Sequence, residues 1–325
     1  MPPIAALITH PACSHHDTGH AHPESRDRLR ALLDAVRLDP ALGGVLLEQV
    51  GRLATEEDLL RVHEPGHLAN VKAAADEARR RAGLVWLDQD TPVSGGSWEA
   101  ALAAAGCAIA AAEAVLDGSC DAAFALSRPP GHHATRGRAM GFCLFNNVAV
   151  AVRWAQTERH AGRVLVVDWD AHHGNGTQDI FFEDPTVYAL SLHAAGAYPA
   201  TGGGAGERGA GEGRGTTRNV PLPPGSGAAE YRRRYVEAIE AALAVFTPDM
   251  VFISAGFDLL ASDPMGLLAL DPADLHTLTE DLLTRIPAPA RKRVVAVLEG
   301  GYALDRIGEA LVNVLRAFTG LPRAP

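Results

Sequence analysis

Six short apolar runs punctuate the chain, and between them apolar residues recur at every third or fourth position. The runs at 5–9, 122–126, 164–168, 187–192, 250–254 and 294–298 are too short for helices. Several are rich in valine and isoleucine, which predicts strands buried on both faces. The periodic stretches predict helices at 25–38 (with Leu29, Leu32, Leu33 and Val36 on one face), 65–82, 97–117, and about 145–158, 174–183, 227–246, 272–285 and 304–318. Thr55 before Glu56, Glu57 and Asp58 reads as a helix start, and Ser97 as the N-cap of the helix that ends near Gly118. From residue 122 onward strand and helix alternate. That predicts an α/β fold of three layers, helices on both faces of a mainly parallel sheet. No Pro/Ser-rich linker and no repeat interrupts it, so residues 1–325 are expected to form a single domain.

The unusual polar residues follow the strands. SRPPGHHA (127–134), DWDAHHGN (168–175), AGFD (255–258) and EGGY (299–302) each begin where an apolar run stops. In parallel sheets ligands bind beyond the carboxyl ends of the strands, so one edge is expected to carry the chemistry. Asp168, Asp170 and His172 are spaced by two, which on an extended chain puts them on one side. Unpaired charges beside a buried strand would cost several kcal/mol in desolvation, roughly, and a divalent metal would offset that. Asp170, His172 and Asp258 are therefore the candidate ligands, leaving coordination positions open for catalysis. Such donors suit Zn²⁺, but also Fe²⁺, Mn²⁺ or Co²⁺. His173 would point away from His172 and is not assigned as a ligand.

His132 and His133 follow the rigid Pro129-Pro130-Gly131 turn and are candidates for proton transfer, with Asp168 and Asn175 as the groups that orient them. Tyr302 follows two glycines, Gly300 and Gly301, and is a candidate donor to a developing oxyanion. Within the glycine-rich stretch 196–217, Gly204, Gly206 and Gly209 fit G-x-G-x-x-G. No strand precedes them directly and no helix follows, so a loop bordering the site is expected instead of a dinucleotide fold.

Composition narrows the class. The 325 residues are 47% hydrophobic and 21% charged, with net charge −10, which argues against nucleic-acid binding. No apolar run is read as approaching the ~18–20 residues needed to span a bilayer, and the start MPPIAALITHPACSHH does not read as a signal peptide. Cys13, Cys107, Cys120 and Cys143 form no C-x-x-C pair and are expected to be free buried thiols of a cytoplasmic protein.

Taken together, RPPGHHA (128–134), GFCLFNN (141–147), DWDAHHGNGTQ (168–178), SLH (191–193), SAGFD (254–258) and EGGY (299–302) resemble the histone deacetylase and acetylpolyamine amidohydrolase family. GHAHPESRDR (19–28) adds weaker similarity. The tryptophan of DWDAHHGN and Asn175 look like the class II and bacterial amidohydrolase branch. The resemblance implies an arginase–deacetylase fold and zinc-dependent hydrolysis of an acyl amide, on acyl-lysine or a related acylated small amine. It implies zinc on Asp170, His172 and Asp258, with His133 as general base and acid partnered by Asn175. His132, paired with Asp168, would be the electrostatic partner, and Tyr302 would polarise the acyl carbonyl. Gly141, Phe142 and Tyr198 would line an acyl-lysine tunnel with Met265 at its rim and Gly300 beside the substrate. Asp90 and Thr91 fall where relatives contact the substrate backbone. A structural K⁺ is implied near Asp168, Asp170, His172, Ser191 and Leu192. Met265 stands where one branch carries glutamate, which favours acyl-lysine over polyamines, although acidic residues from a second subunit of a homo-oligomer would reverse that. An arginase-type ureohydrolase, with Asp263 as an extra ligand, and a non-catalytic acyl-lysine reader are the remaining readings.

Overall fold

The computed structural model describes residues 4–324. Its elements in chain order are β1 (Ala5–Thr9), α1 (Asp27–Leu38), β2 (Leu46–Val50), α2 (Glu56–Leu60), α3 (Pro65–Arg81), β3 (Val85–Trp86), β4 (Pro92–Val93) and α4 (Ser97–Leu116). After them come β5 (Ala122–Ala125), α5 (Asn147–Arg159), β6 (Val164–Asp168), α6 (Asn175–Phe181), β7 (Val187–Ala194) and β8 (Thr217–Leu222). The chain closes with α7 (Ala228–Leu243), β9 (Met250–Ala255), α8 (Asp274–Arg285), β10 (Val294–Leu298) and α9 (Ile307–Phe318).

Eight strands form one parallel sheet in the order β2-β1-β5-β10-β9-β6-β7-β8, and β3 pairs with β4 in a separate antiparallel hairpin. Right-handed crossovers put helices on opposite faces according to the direction in which the chain steps along the sheet. The steps from β1 to β2, from β8 to β9 and from β9 to β10 run one way and carry α1, α7 and α8. The steps toward β5, β6 and β7 run the other way and carry α4, α5 and α6. The packing follows: α1, α9, α8 and α7 touch in series, and α4 packs on α5. β5, β6, β7, β9 and β10 are buried along their whole length, as their apolar runs require.

Three expectations are corrected. The edge strands β2 and β8 were not predicted, because an edge strand needs no continuous apolar run; most of β2 is exposed. Ser97 is the first residue inside α4, with Gly96 as the cap, and its hydroxyl instead accepts the Ser94 N–H at 2.7 Å and meets His16 Nδ1 at 2.7 Å. Finally, α4 is long and apolar enough to cross a membrane by length and composition. Its alanines hide that length from a reading by eye; in the fold most of them are buried against β1, β5, β10 and α5. The capping box at Thr55 is as predicted: its hydroxyl accepts the Asp58 N–H at 3.1 Å, and Asp58 accepts the Thr55 N–H at 2.9 Å.

Candidate active site

β6 ends at Asp168, and the chain beyond it turns. Asp168 Oδ1 accepts the Asp170 N–H at 3.1 Å, and Asp170 Oδ1 accepts the His172 N–H at 2.9 Å. These two side-chain-to-backbone turns bring Asp170 and His172 together, where the sequence reading had assumed strand alternation. Asp258, just beyond β9, completes the cluster. One ligand atom from each of the three residues lies within 4.8 Å of the others. His172 Nδ1 is 3.1 Å from Asp170 Oδ1 and 3.0 Å from Asp258 Oδ2. Backbone amides brace the carboxylates, with Gly300 N–H on Asp170 Oδ2 at 2.9 Å and Ala171 N–H on Asp258 Oδ1 at 2.8 Å.

Both carboxylates are fully buried. Burial, then the Asp170 charge, pushes Asp258 up to about 7. Burial alone would raise Asp170 too, but His132 and His172 hold it below the usual carboxylate range. For His172, burial acts to lower the value, and the Asp258 and Asp170 carboxylates outweigh it, holding it at about 11. Two buried carboxylates thus share the positive charge of one imidazole. A divalent cation would replace that proton and neutralise the pair, so the donor set fits a Zn²⁺- or Fe²⁺-type ion. The backbone is shaped around it: a Cβ on Gly300 would sit 2.2 Å from Asp258 Oδ2, and one on Gly256 would sit 2.1 Å from Asp170 Oδ2.

The adjacent histidines have different partners. His132 Nδ1 faces Asp168 Oδ2 at 3.0 Å, a carboxylate; His133 Nδ1 donates to Asn175 Oδ1 at 2.7 Å, a neutral amide. Burial opposes charge on both. For His132 the Asp170, Asp168 and Glu299 carboxylates overcome it and hold the ring at about 10. For His133, burial and then the His132 and His172 charges push the ring well below its ordinary value. One imidazole is set as a cation and the other as a neutral ring with Nε2 free to accept.

A cavity of about 430 Å³ brings His132, His133, Asp170, His172 and Asp258 together with Gly141, Phe142, Tyr198, Met265, Gly300 and Tyr302. Gly141 and Phe142 have φ of 57° and 67°. A Cβ on Gly141 would lie 2.5 Å from His133 Cδ2 and 2.7 Å from Tyr198 Cε1, so only glycine fits the wall there. Asp90 Oδ1 accepts the Gly141 N–H and Thr91 Oγ1 the Phe142 N–H, each at 3.2 Å, which holds the strained turn. The Tyr302 ring meets Phe142 edge-on, with centroids 5.9 Å apart.

Asp168, Asn175, Ser191 and Leu192 do not line this cavity. Asp168 and Ser191 instead line a smaller one behind β6 and β7, with Asp170, His172 and Leu192 outside it. His173 turns away, as predicted, and its ring meets that of His193 at a tilt, with centroids 4.8 Å apart. All four cysteines are free and buried. For Cys143, burial and then the Glu299 charge push the thiol well up, which makes it a poor nucleophile.

Several residues that set up the site were missed. Glu299 was read only as the start of EGGY, yet its Oε2 accepts the Gly131 and His132 N–H groups at 2.6 and 3.1 Å. Glu24 makes a buried bidentate pair with Arg128 at 2.7 and 2.6 Å and a further ion pair with Arg28. Arg28 in turn donates to the Gly301 and Glu299 carbonyls at 2.6 and 2.5 Å. Asp263, proposed as an extra ligand in the ureohydrolase reading, accepts the Tyr302 and Ala303 N–H groups at 2.6 and 3.0 Å. His63 bridges the loop between β5 and α5: its Nδ1 donates to Thr135 O and its Nε2 accepts the Asn146 N–H, both at 2.9 Å. Only an ordinary His-x-x-x-His spacing on a helix start marked His63, and that pattern carries no pointer to this loop.

Residues 22–318 match the family model for the histone deacetylase domain. This chain belongs to the histone deacetylase family. It is 40% identical over 323 residues to the histone deacetylase-like amidohydrolase of Pseudomonas aeruginosa, covering 99% of this chain and 82% of that protein. It is 38% identical over 309 residues to a probable deacetylase of Archaeoglobus fulgidus, covering 93% and 82% of the two chains. The crystal structure of the HDA15 HD domain superposes with a TM-score of 0.91 at 35% identity, covering 99% of this chain and 90% of that one. The family member described here therefore carries the deacetylase fold over nearly its whole length. The motifs at its strand ends belong to a family of deacetylases and amidohydrolases.

Proposed function

We propose that residues 1–325 act as one catalytic domain that removes acetyl or other acyl groups from the ε-amine of lysine, or from a related amine, with zinc held by Asp170, His172 and Asp258. The observation that carries this reading is the split between His133, on a neutral amide, and His132, on a carboxylate, beside a three-ligand cluster. When bound, the metal would polarise the acyl carbonyl and acidify water; Fe²⁺ would supply the same chemistry.

The residues then divide the work. His133 takes a proton from water on its free Nε2 and returns it to the departing amine, while Asn175 keeps its Nδ1 proton in place. His132, kept cationic by Asp168, stabilises negative charge developing beside it. The Tyr302 hydroxyl donates to the carbonyl oxygen as it becomes an oxyanion, and the amides held by Asp263 fix where the ring stands. Gly141, Phe142 and Tyr198 form the wall along which the apolar stem of an acyl-lysine would lie, with Gly300 at its base. Met265, 39% exposed at the rim, offers no charge to a cationic amine, which favours acyl-lysine.

The same reading includes a potassium ion near Asp168, Asp170, His172, Ser191 and Leu192, with Asp168 as the buried charge beside it, and a cytoplasmic protein that works without nucleic acid or membrane. Acetylpolyamine hydrolysis is the second reading, favoured by the Asp90 carboxylate in the cavity lining and by any acidic face that a homo-oligomer would add. The two are separated by kcat/KM for acetyl-lysine peptides against acetylated polyamines on one zinc-loaded preparation. A peptide preference supports the first reading, a polyamine preference the second. Turnover of neither would overturn both.

A further inference from the structure

At the opposite edge of the sheet from the active site, Arg163 precedes β6, Arg218 lies at the start of β8, and the loop before β8 carries Arg208 and Arg214. These four arginines line one hollow of about 920 Å³, floored by Tyr188, Thr216 and the chain just beyond α7 at Val245 and Phe246. We propose that this hollow is a binding site for a run of phosphoryl groups, as carried by a nucleotide or by a free polyphosphate.

Charge is the first ground. The chain has 39 acidic and 29 basic residues, and its other arginines are mostly paired with carboxylates. Among the described residues none of these four makes an ion pair. Like charges converging on a hollow repel one another unless an anion is shared between them.

Three of the neighbouring carboxylates are engaged elsewhere. Asp184 pairs with Arg153 at 2.5 Å. Glu207, next to Arg208, accepts from Gln178 at 2.5 Å and from Asn219 at 3.3 Å. Asp249 accepts the backbone N–H of Arg163 at 2.8 Å. Glu212 on the same loop and Glu183, which packs against Gly211 and Gly213, are exposed and form no ion pair among the described residues.

Geometry is the second ground. The Arg163 guanidinium carbon lies over the Phe246 ring, 4.1 Å from its centroid, a cation–π contact that holds the side chain at the hollow. Arg218 Nε is buried with no hydrogen-bond partner, a donor awaiting an acceptor. Arg218 and Arg208 both lie within electrostatic reach of the Tyr188 phenol: burial raises it and the two guanidinium groups pull against that. Planar guanidinium forks suit phosphate oxygens, and four of them around one hollow suit more than a single phosphate. The hollow is discrete and the chain is acidic overall, which favours a small polyanion over nucleic acid.

The test is calorimetric titration of the full metal-loaded chain with inorganic tripolyphosphate, ATP and sulfate at 0.15 M salt. We expect one-to-one binding of tripolyphosphate, with sulfate much weaker, and a loss of affinity of roughly tenfold or more in Arg218→Gln, the weight of one charged hydrogen bond. Arg163→Gln, at an exposed position, gives the same comparison should Arg218→Gln fail to fold. Amide hydrolysis by both variants is expected to be unchanged. Tighter binding of ATP than of tripolyphosphate would assign the nucleotide, and equal or weaker binding the free chain. No binding by the unsubstituted chain, or equal binding by the variants (as for an anion on the catalytic metal), would overturn the proposal.

Discussion

His133 donates its Nδ1 proton to Asn175 Oδ1 at 2.7 Å, and this one contact separates the roles of two neighbouring imidazoles. An amide oxygen orients the ring without adding charge. The carboxylate on His132 does add charge, at 3.0 Å. Replacing the amide would erase the distinction, and it would do so with hardly any change of shape.

Asn175→Asp tests it. A carboxylate there favours the imidazolium form of His133 and raises its pKa by about 1 unit or more. The neutral ring is the active base, so activity is lost at higher pH than before. The acidic limb of the kcat/KM profile is expected to move upward; an unmoved limb would mean that another group sets it.

Tyr302→Phe removes a hydroxyl and leaves the ring, its contact with Phe142 and the Asp263 amide contacts in place. Amide hydrolysis is expected to fall by ~10²-fold or more through loss of one oxyanion donor. Metal content, measured by elemental analysis, should stay that of the unsubstituted chain.

Gly300→Ala should act on the metal instead. The added Cβ would lie 2.2 Å from Asp258 Oδ2 and 2.7 Å from Asp170 Oδ2, far inside van der Waals contact. Displacing both carboxylates is expected to weaken zinc binding by roughly 10–100-fold, the scale of lost support around a metal ligand. Competition with a chromogenic chelator measures it, and unaltered affinity would remove these residues from the metal site.

His63 gives a pH dependence of stability. Burial, then the neighbouring His67, lowers its folded value to about 3, against an unfolded reference of about 6.5. Because the folded value is depressed, the unfolded chain binds more protons between those limits. Stability is therefore fully present above about pH 6.5 and is lost as the pH falls toward 3, by about 2 kcal/mol at pH 5 from this residue. Denaturant unfolding at pH 7 and pH 5 should show that loss, with a smaller slope in His63→Asn. An equal slope in both would assign the acid sensitivity to other groups.

Residue patterning alone specified the core strands and the edge of the sheet that carries the chemistry. β1, β6 and β10 coincide with apolar runs read directly, because a strand buried on both faces has no other composition open to it. The grouping of Asp170, His172 and Asp258 was legible for a related reason: buried charge beside such strands requires a partner. The parts that only tertiary structure decided are those in which distant backbone and side chains meet. Glu24, Arg28 and Arg128 bind residues more than a hundred positions away and look like ordinary charged residues on paper. Asp263 became a clamp on the Tyr302 backbone instead of a ligand, and the turns after Asp168, not strand alternation, set His172 in place. Local sequence carries burial and propensity. It does not carry which donor meets which acceptor once the sheet has closed.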